Sequence, residues 1–537
     1  MDRISLASLG SRYTPGSELG GPYDAVVIGS GMGGLAAASM LAQRRQRVLL
    51  LEQNDLLGGC TQSYERRGYR FNVGVHYVGS VAQPTNTRAL FEAVCPGLEW
   101  SHLPSIYNRM VLGDRHYAVP SGREAYRAML IESFPTEGEG IDAYLNAVGA
   151  VTRSARGYFG QKVMPEAKVS ERYDEMCSAF HAHSDLTTEE ALSSMTNNAE
   201  LRAVWTANWG DYGLPPSRSS FAMHCMLVKH YLDGASYPRG GAVAFAQRVL
   251  PLIEAEGGLA LRAAEVERIL VEDDVVQGVR LAGGHVVRAP VVVSNAGVQN
   301  TFGRLLDTET AERSGIRGSL RQVKDSYAVV GLNLGLKASP HELGLTPANI
   351  WAHPTADFDD NLAAHRENFE APFPWCFITF PSAKDPDWEA DYPGRATIEM
   401  YGYSYFEHFE DWAGQPSRSE TYLATKERVR ERLLAELERF VPGVTDAVDL
   451  AEVSTPLSYE RYLRRARGGF MGLEASPARF RQRWLRAPTP VRGLFLSGQD
   501  VTSDGVIGAL TGGVLAASAV LGEDLMRTIG EKRLSAQ

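Results

Sequence analysis

Six residues near the amino terminus, Gly29-Ser30-Gly31-Met32-Gly33-Gly34, place glycines at the spacing G-x-G-x-x-G, and an acidic residue, Glu52, follows about twenty positions on. Residues of these types at this spacing can hold a dinucleotide. Gly29 allows a tight turn, Gly31 lets the main chain approach a diphosphate, and Gly34 lets a following helix close onto the preceding strand. The N-terminus of that helix, with its free N–H groups and positive dipole end, then faces the diphosphate. Glu52 can accept hydrogen bonds from ribose hydroxyls and repels a 2′-phosphate. The elements that must position these residues are all present. An apolar run over 23–28 predicts a strand, 35–46 a helix, and 48–51 a second strand ending in Glu52. The sequence supplies its own control: Gly138-Glu139-Gly140-Ile141-Asp142-Ala143 nearly matches, but it follows Ser133-Phe134-Pro135 and reads as a helix start. No second such unit follows, so the chain is built for one tightly held dinucleotide.

Further candidates lie beyond Glu52. Gln53 leads to the pair Gly58-Gly59 and then Cys60; the pair either brings main chain to the same ligand or makes a surface turn. The alternating, aromatic segment 68–79 suits strands beside a ligand and carries His76 and Tyr77. Tyr237 and Arg239 stand in Tyr-Pro-Arg-Gly-Gly, and the strand 291–293 ends in Ser294-Asn295-Ala296-Gly297, small residues that bring Asn295 to the nucleotide. At the other end of the chain, a strand reaches Gly498-Gln499-Asp500 and leads into a glycine-rich helical run, 505–522. That run is just long enough to be weighed as a membrane span, but its small residues suit close packing inside a protein equally well. His181 and His183 lack partners at ligand spacing and read as a surface helix end, so no metal site is expected.

The fold class expected is α/β: a discontinuous Rossmann-like domain with a mixed-sheet substrate domain and a helical lid. The nucleotide domain is expected over 22–82, 233–300 and 488–525, the helical part over 83–232, and the substrate sheet over 301–487. A small β-meander is expected within 265–287. The apolar stretch 221–228 either lines a lipid-accepting tunnel or is core. With 54 Lys and Arg against 64 Asp and Glu, the net charge is −10, which argues against nucleic acid as a partner. Five scattered cysteines without a C-x-x-C pair exclude a disulfide framework and point to a reducing setting. The first 22 residues hold no apolar run of signal-peptide length. A cytoplasmic location is expected, with peripheral membrane contact as a hypothesis from substrate solubility.

The segments GSGMGGL, LGGCTQSYERRGYRFNVGVHYVG, YPRGG, VVVSNAG and LSGQDVTSDGVIGALTGGVLAAS together resemble the phytoene-desaturase and carotenoid-isomerase-like flavoproteins, and within them the retinol saturase family. The likeness runs from about residue 22 to 522. It departs at Asn72, where the family commonly has Asp, and in a leader without the family's animal-type secretory signal. The resemblance implies FAD, held by Gly29, Gly31, Met32, Gly34, Glu52, Gln53, Gly58, Gly59 and Cys60. It also implies adenine contacts from Val266, ribityl or phosphate contact from Asp500, and the amides of Val506 and Ile507 at the flavin pyrimidine edge. The activity implied is saturation of a double bond in an apolar polyene. Desaturation and redox-neutral isomerisation are alternatives on the same scaffold, and a lipid-binding flavoprotein without chemistry is a third. Hydride moves at flavin N5 while a proton is exchanged at the far carbon. His76, Tyr77 and Tyr237 are the candidates for that proton, with His76 also readable as a buried structural histidine. Arg239 either anchors a polar substrate head or bonds the phosphates. The electron donor is external and not named by the sequence.

Overall fold

Six parallel strands, drawn from four separate stretches of chain, make the sheet that carries the glycine fingerprint. In the computed structural model, which describes residues 6–169, 172–415 and 419–535, their order is Ser11–Arg12, Leu259–Arg262, Val48–Leu51, Ala25–Ile28, Val291–Ser294 and Leu494–Leu496. The inner strands are covered on both faces, which is why they read as continuous apolar runs rather than alternating ones. Ser11–Arg12 lies within the segment read as a polar leader, and it pairs with Leu261 and Arg262 at the sheet edge. Both residues are exposed, so no hydrophobic pattern could announce the strand.

The fingerprint helix Met32–Ala42 is buried along its whole length, and the closing helix Gly505–Leu521 lies against it. A Cβ on Gly513 would overlap the Gly33 carbonyl oxygen, so the small residues of 505–522 serve helix-to-helix contact. Among the described residues no single helix is long and apolar enough to cross a membrane. The closing helix and Leu525–Ser535, bent by 112°, reach that length and composition only as a pair.

A second sheet of seven strands stands beside the first, ordered Val448–Ser454, Ala328–Leu336, Ala396–Ser404, Cys376–Thr379, Asn349–His353, Ile106–Leu112 and Arg115–Pro120. It is antiparallel apart from the pairing of Asn349–His353 with Ile106–Leu112. The two strands over 106–120 come from the stretch read as mostly helical. Side chains alternate across this sheet. Val330, Ile350, Ile378 and Met400 pack with Val429 and Leu433 of the helix Glu420–Glu438. Val329, Trp351, Phe377, Tyr401 and Tyr403 face the opposite way, into a cluster with the helical insertion between 123 and 231. That insertion includes Gly138–Gly160, whose start is the near-match glycine motif, and Phe221–Tyr231, whose residues 221–225 are buried in the same cluster. His181, read as lying on a surface, is instead buried beside Tyr158 and Phe180. The meander is present as Val266–Glu272, Val275–Leu281 and Val286–Arg288.

Candidate functional site

An elongated cleft runs along the carboxyl ends of the parallel strands, where open α/β sheets bind ligands. It is lined at one end by Glu52, Gln53, Val266 and Arg304, in the middle by Gly29, Gly31, Met32, Gly33, Asn295 and Gly498, and at the far end by Cys60, Gly74, Val75, Phe470 and Val506. Thirteen expected cofactor residues therefore line one cavity, Asp500 among them. Three do not line it. Gly34 sits beneath, where a Cβ would overlap the Gly29 carbonyl oxygen. Gly58 supports the floor by donating its N–H to Ser30 Oγ at 2.8 Å. Ile507 follows Val506 in the first turn of the closing helix.

The cleft is shaped for an extended dinucleotide. The helix Met32–Ala42 has no side-chain cap, so its first-turn amides are left for a ligand. A Cβ on Gly59 would come within 2.9 Å of Gly31 Cα, so the glycine pair abuts the fingerprint loop and narrows the cleft there. Glu52 is buried; its Oε2 accepts from Ser30 N at 3.0 Å and Ser30 Oγ at 2.6 Å, and its Oε1 accepts from Asn54 N at 2.9 Å. Oε2 is thereby filled, and Oε1, with a single donor, keeps capacity for a ribose hydroxyl. Burial pushes the Cys60 thiol up to about 11, so it is a neutral wall and not a nucleophile. These features fit FAD.

Asp500, at the cleft wall, is also an ion-pair partner. Its carboxylate accepts two hydrogen bonds from Arg465 Nη2, at 2.9 and 3.0 Å, and one from Val298 N at 3.0 Å. Burial would raise the carboxyl, but the Arg465 guanidinium outweighs it and holds it below the usual carboxylate range. Arg465, which also pairs with Asp325 at 3.0 Å, is a cleft residue that no motif signalled. At the start of the closing helix, Asp504 pairs with buried Arg479, and burial still raises its carboxyl to about 6.

Beyond Val75 the cleft gives way to a buried polar network on the aromatic side of the mixed sheet. His76 Nδ1 stands 2.9 Å from Glu399 Oε2, with the ring between Phe377 and Tyr401. Glu399 Oε1 accepts from Asn72 N at 2.6 Å. Asn72 Oδ1 accepts from Ser63 Oγ and Ala242 N, while its Nδ2 donates to the Tyr237 phenol at 2.7 Å. The amide thus serves as acceptor and donor at once, which an ionised aspartate could not do. Lys384 Nζ donates to the His76 carbonyl at 2.9 Å, and to Asn349 Oδ1 and Thr379 Oγ1. Burial lowers this ammonium to about 7 against the pull of Glu399. The Tyr77 phenol donates to Asp211 Oδ2 at 2.8 Å. His76 and Tyr237 thus share one network through Glu399 and Asn72, Tyr77 stands beside it on Asp211, and none of the three lines the nucleotide cleft. Asp211, Glu399 and Lys384 were not found by sequence reasoning. The one signal was Asp211 itself, a carboxylate set in the aromatic run Trp209-Gly210-Asp211-Tyr212. Arg239 faces outward, paired with Glu99 and Asp387. Among the described residues no cluster could hold a metal ion.

A parallel nucleotide-binding sheet interrupted by a mixed-sheet domain defines a Rossmann-type dinucleotide-binding protein with an inserted second domain. The NAD(P)-binding Rossmann-like domain family matches residues 27–94. Cyclohexylamine oxidase from Brevibacterium oxydans IH-35A shares the fold, with a TM-score of 0.61, 17% identity, and coverage of 93% of this chain and 99% of that one. All-trans-retinol 13,14-reductase of Homo sapiens is 33% identical over 94% of this chain and 86% of its own length. Prolycopene isomerase of Arabidopsis thaliana is 27% identical over 93% and 82%. The chain belongs to the all-trans-retinol 13,14-reductase family.

Proposed function

We propose that the protein is an FAD-dependent oxidoreductase acting on a carbon–carbon double bond of a hydrophobic polyene, in the saturating direction. The observation that carries this reading is the junction at 75–77. There a dinucleotide cleft meets the aromatic face of a second sheet, with one short segment belonging to both. Bound in the cleft, reduced FAD supplies a hydride to one carbon of a conjugated bond. Gly31, Gly33, Asn295 and Gly498 would hold the diphosphate, Glu52 the ribose, and Val266 the adenine. The first amides of Gly505–Leu521 would face the flavin pyrimidine edge, where a helix N-terminus stabilises negative charge. Trp351, Phe377, Tyr401 and Tyr403, buried beyond the junction, make its surroundings apolar and exclude water.

The resemblance to prolycopene isomerase supports a second reading, isomerisation without net redox change. One experiment separates the two. The reduced enzyme is mixed anaerobically with retinoids, carotenoids and unsaturated fatty acids, and the products are weighed. A gain of about two daltons with matching flavin oxidation is expected, since hydride plus proton is what a saturase adds. Unchanged mass with a shifted retention time would favour the isomerase.

A further inference from the structure

Saturation leaves a proton to be found. One carbon takes the hydride, the π pair moves to the other, and that carbon must be closed by H⁺ from a side chain. Of the groups around the junction, most are engaged elsewhere. Lys384 directs its ammonium at three oxygens, and His76 Nδ1 faces Glu399. Tyr237 is buried against Asn72 on the far side of that network.

Tyr77 is held otherwise. Its ring stacks on Tyr231 with centroids 4.3 Å apart and lies parallel to Phe377 at 6.1 Å. The peptide before it is fixed by the Lys384 bond to the His76 carbonyl. Its phenol meets Asp211, carried on the turn Trp209–Asp211 that the helical insertion pushes against the aromatic face of the sheet. That turn has no slack. The Gly210 carbonyl accepts from Tyr327 OH at 2.6 Å, and a Cβ on Gly210 would come within 2.5 Å of Trp351.

We propose that Asp211 and Tyr77 deliver this proton as a pair, the Tyr77 phenol giving its hydrogen to carbon while the Asp211 carboxyl gives its own to the phenol oxygen. The inference rests on the saturase reading above. The balance closes: the π bond breaks, a C–H bond forms at each carbon, and the Tyr77 O–H is remade from Asp211. The carboxylate regains a proton from water between turnovers, and the hydride comes from reduced flavin. The 2.8 Å separation serves both directions. With Asp211 ionised, the phenol hydrogen points into the carboxylate. With Asp211 protonated, the carboxyl donates to the phenol oxygen and frees that hydrogen.

Neither partner suffices alone. Burial raises the Tyr77 phenol well above its ordinary value, so a lone phenolate there is costly. Burial also lifts Asp211 to about 7, against the lowering effect of the Tyr77 hydrogen bond, so at neutral pH the carboxyl is protonated about half of the time and can both give and regain a proton. The titratable and charged groups acting on the pair are Tyr107, Tyr231, Tyr212 and Tyr327, with Lys384 5.8 Å from the Tyr77 ring centre. Asp211 acts through Tyr77 and is a positioning and relay residue, whereas Tyr77 is the catalytic one.

The test compares wild-type holoenzyme with Asp211→Asn and Tyr77→Phe, the second keeping the ring stack. Infrared difference spectra across pH 5–9 read the carboxyl directly. A protonated C=O band that titrates near neutrality and is missing in Asp211→Asn is expected. Single-turnover oxidation of the reduced enzyme by polyene should slow as pH rises through about 7 in the wild type. Both variants should lose on the order of 100-fold in that rate with flavin content retained, and Asp211→Asn should lose the pH dependence as well. A wild-type enzyme that yields the heavier product, beside variants with unaltered rate and profile, overturns the relay alone. A wild-type enzyme that saturates nothing removes the reading and the relay with it. Should Asp211→Asn fail to fold, Tyr77→Phe and the wild-type infrared titration decide.

Discussion

The nucleotide cleft and the aromatic junction are neighbours built on opposite principles. The cleft is mostly main chain: glycines, strand ends and helix amides, with side chains absent where atoms come closest. The junction is mostly side chain: Asn72, His76, Tyr77, Asp211, Lys384 and Glu399 arrive from four separate stretches and are held by hydrogen bonds and close polar contacts. A site of the first kind tolerates no added atom at its tight points, while one of the second kind tolerates substitution wherever the hydrogen-bond roles are kept.

Gly34→Ala should show the largest effect. The new Cβ would overlap the Gly29 carbonyl oxygen, a main-chain atom that cannot step aside without parting helix from strand. The small helix-propensity gain of alanine, up to about 1 kcal/mol, is lost in an overpacking cost at or beyond the ~3 kcal/mol upper range for cores. Purified protein should be colourless and its melting temperature sharply lowered. Yellow Gly34→Ala protein with the wild-type melting temperature would erase the distinction drawn here.

The same contrast explains what could be read from the sequence. The fingerprint, Glu52, the closing helix and the meander follow from local pattern, because strand–glycine–helix geometry is set by residues a few positions apart. Even the discontinuity of the nucleotide domain is legible, since 291–294 and 494–496 are apolar runs ending in small or polar residues. The edge strand Ser11–Arg12 is not, being two exposed polar residues held only by main-chain bonds. Nor is the pairing of 106–112 with 349–353, a register spanning more than two hundred residues that no local period encodes. Within the site, His76 and Tyr77 were visible as types beside glycines. Their partners Glu399 and Asp211 were not, because a buried carboxylate in sequence looks like a surface one. Asp500 shows the converse: its motif was legible and its engagement with Arg465 was not.

Lys384→Met probes the side-chain region and should rank second. It takes a donor from the His76 carbonyl and Thr379 Oγ1, while Asn349 Oδ1 keeps only the bond from Thr379 Oγ1, a loss of about 2 kcal/mol at pH 7 once relief of the buried charge is counted. Its pH dependence has a definite sign. The amine titrates near 7 when folded and at its ordinary value of 10.5 when unfolded. Between those values the unfolded chain binds the extra proton, so this group's contribution to stability rises with pH. Wild-type melting temperature should therefore gain on that of Lys384→Met from pH 7 to 9. Parallel curves for the two proteins would show that Lys384 is not buried as a titrating brace.

Arg239→Ala should do least, and for that reason it marks where the cleft ends. By sequence, Arg239 shares the Tyr-Pro-Arg-Gly-Gly motif with Tyr237 and was a candidate for the phosphates or a polar substrate head. In the fold Tyr237 lies on the strand Ala235–Pro238 and Arg239 directly follows its end. Tyr237 is buried against Asn72, while the Arg239 guanidinium lies half-exposed between Glu99 and Asp387, with its Nη2 2.7 Å from Asp387 Oδ1. Exposed ion pairs of this kind are screened by solvent and salt and contribute little. Removing the side chain should leave flavin content and product identity unchanged, with at most a small melting-temperature shift that disappears at high salt. Loss of bound flavin in Arg239→Ala would mean that the phosphate-holding surface reaches past the glycine cradle to this motif, and that charge, and not only main chain, holds the cofactor.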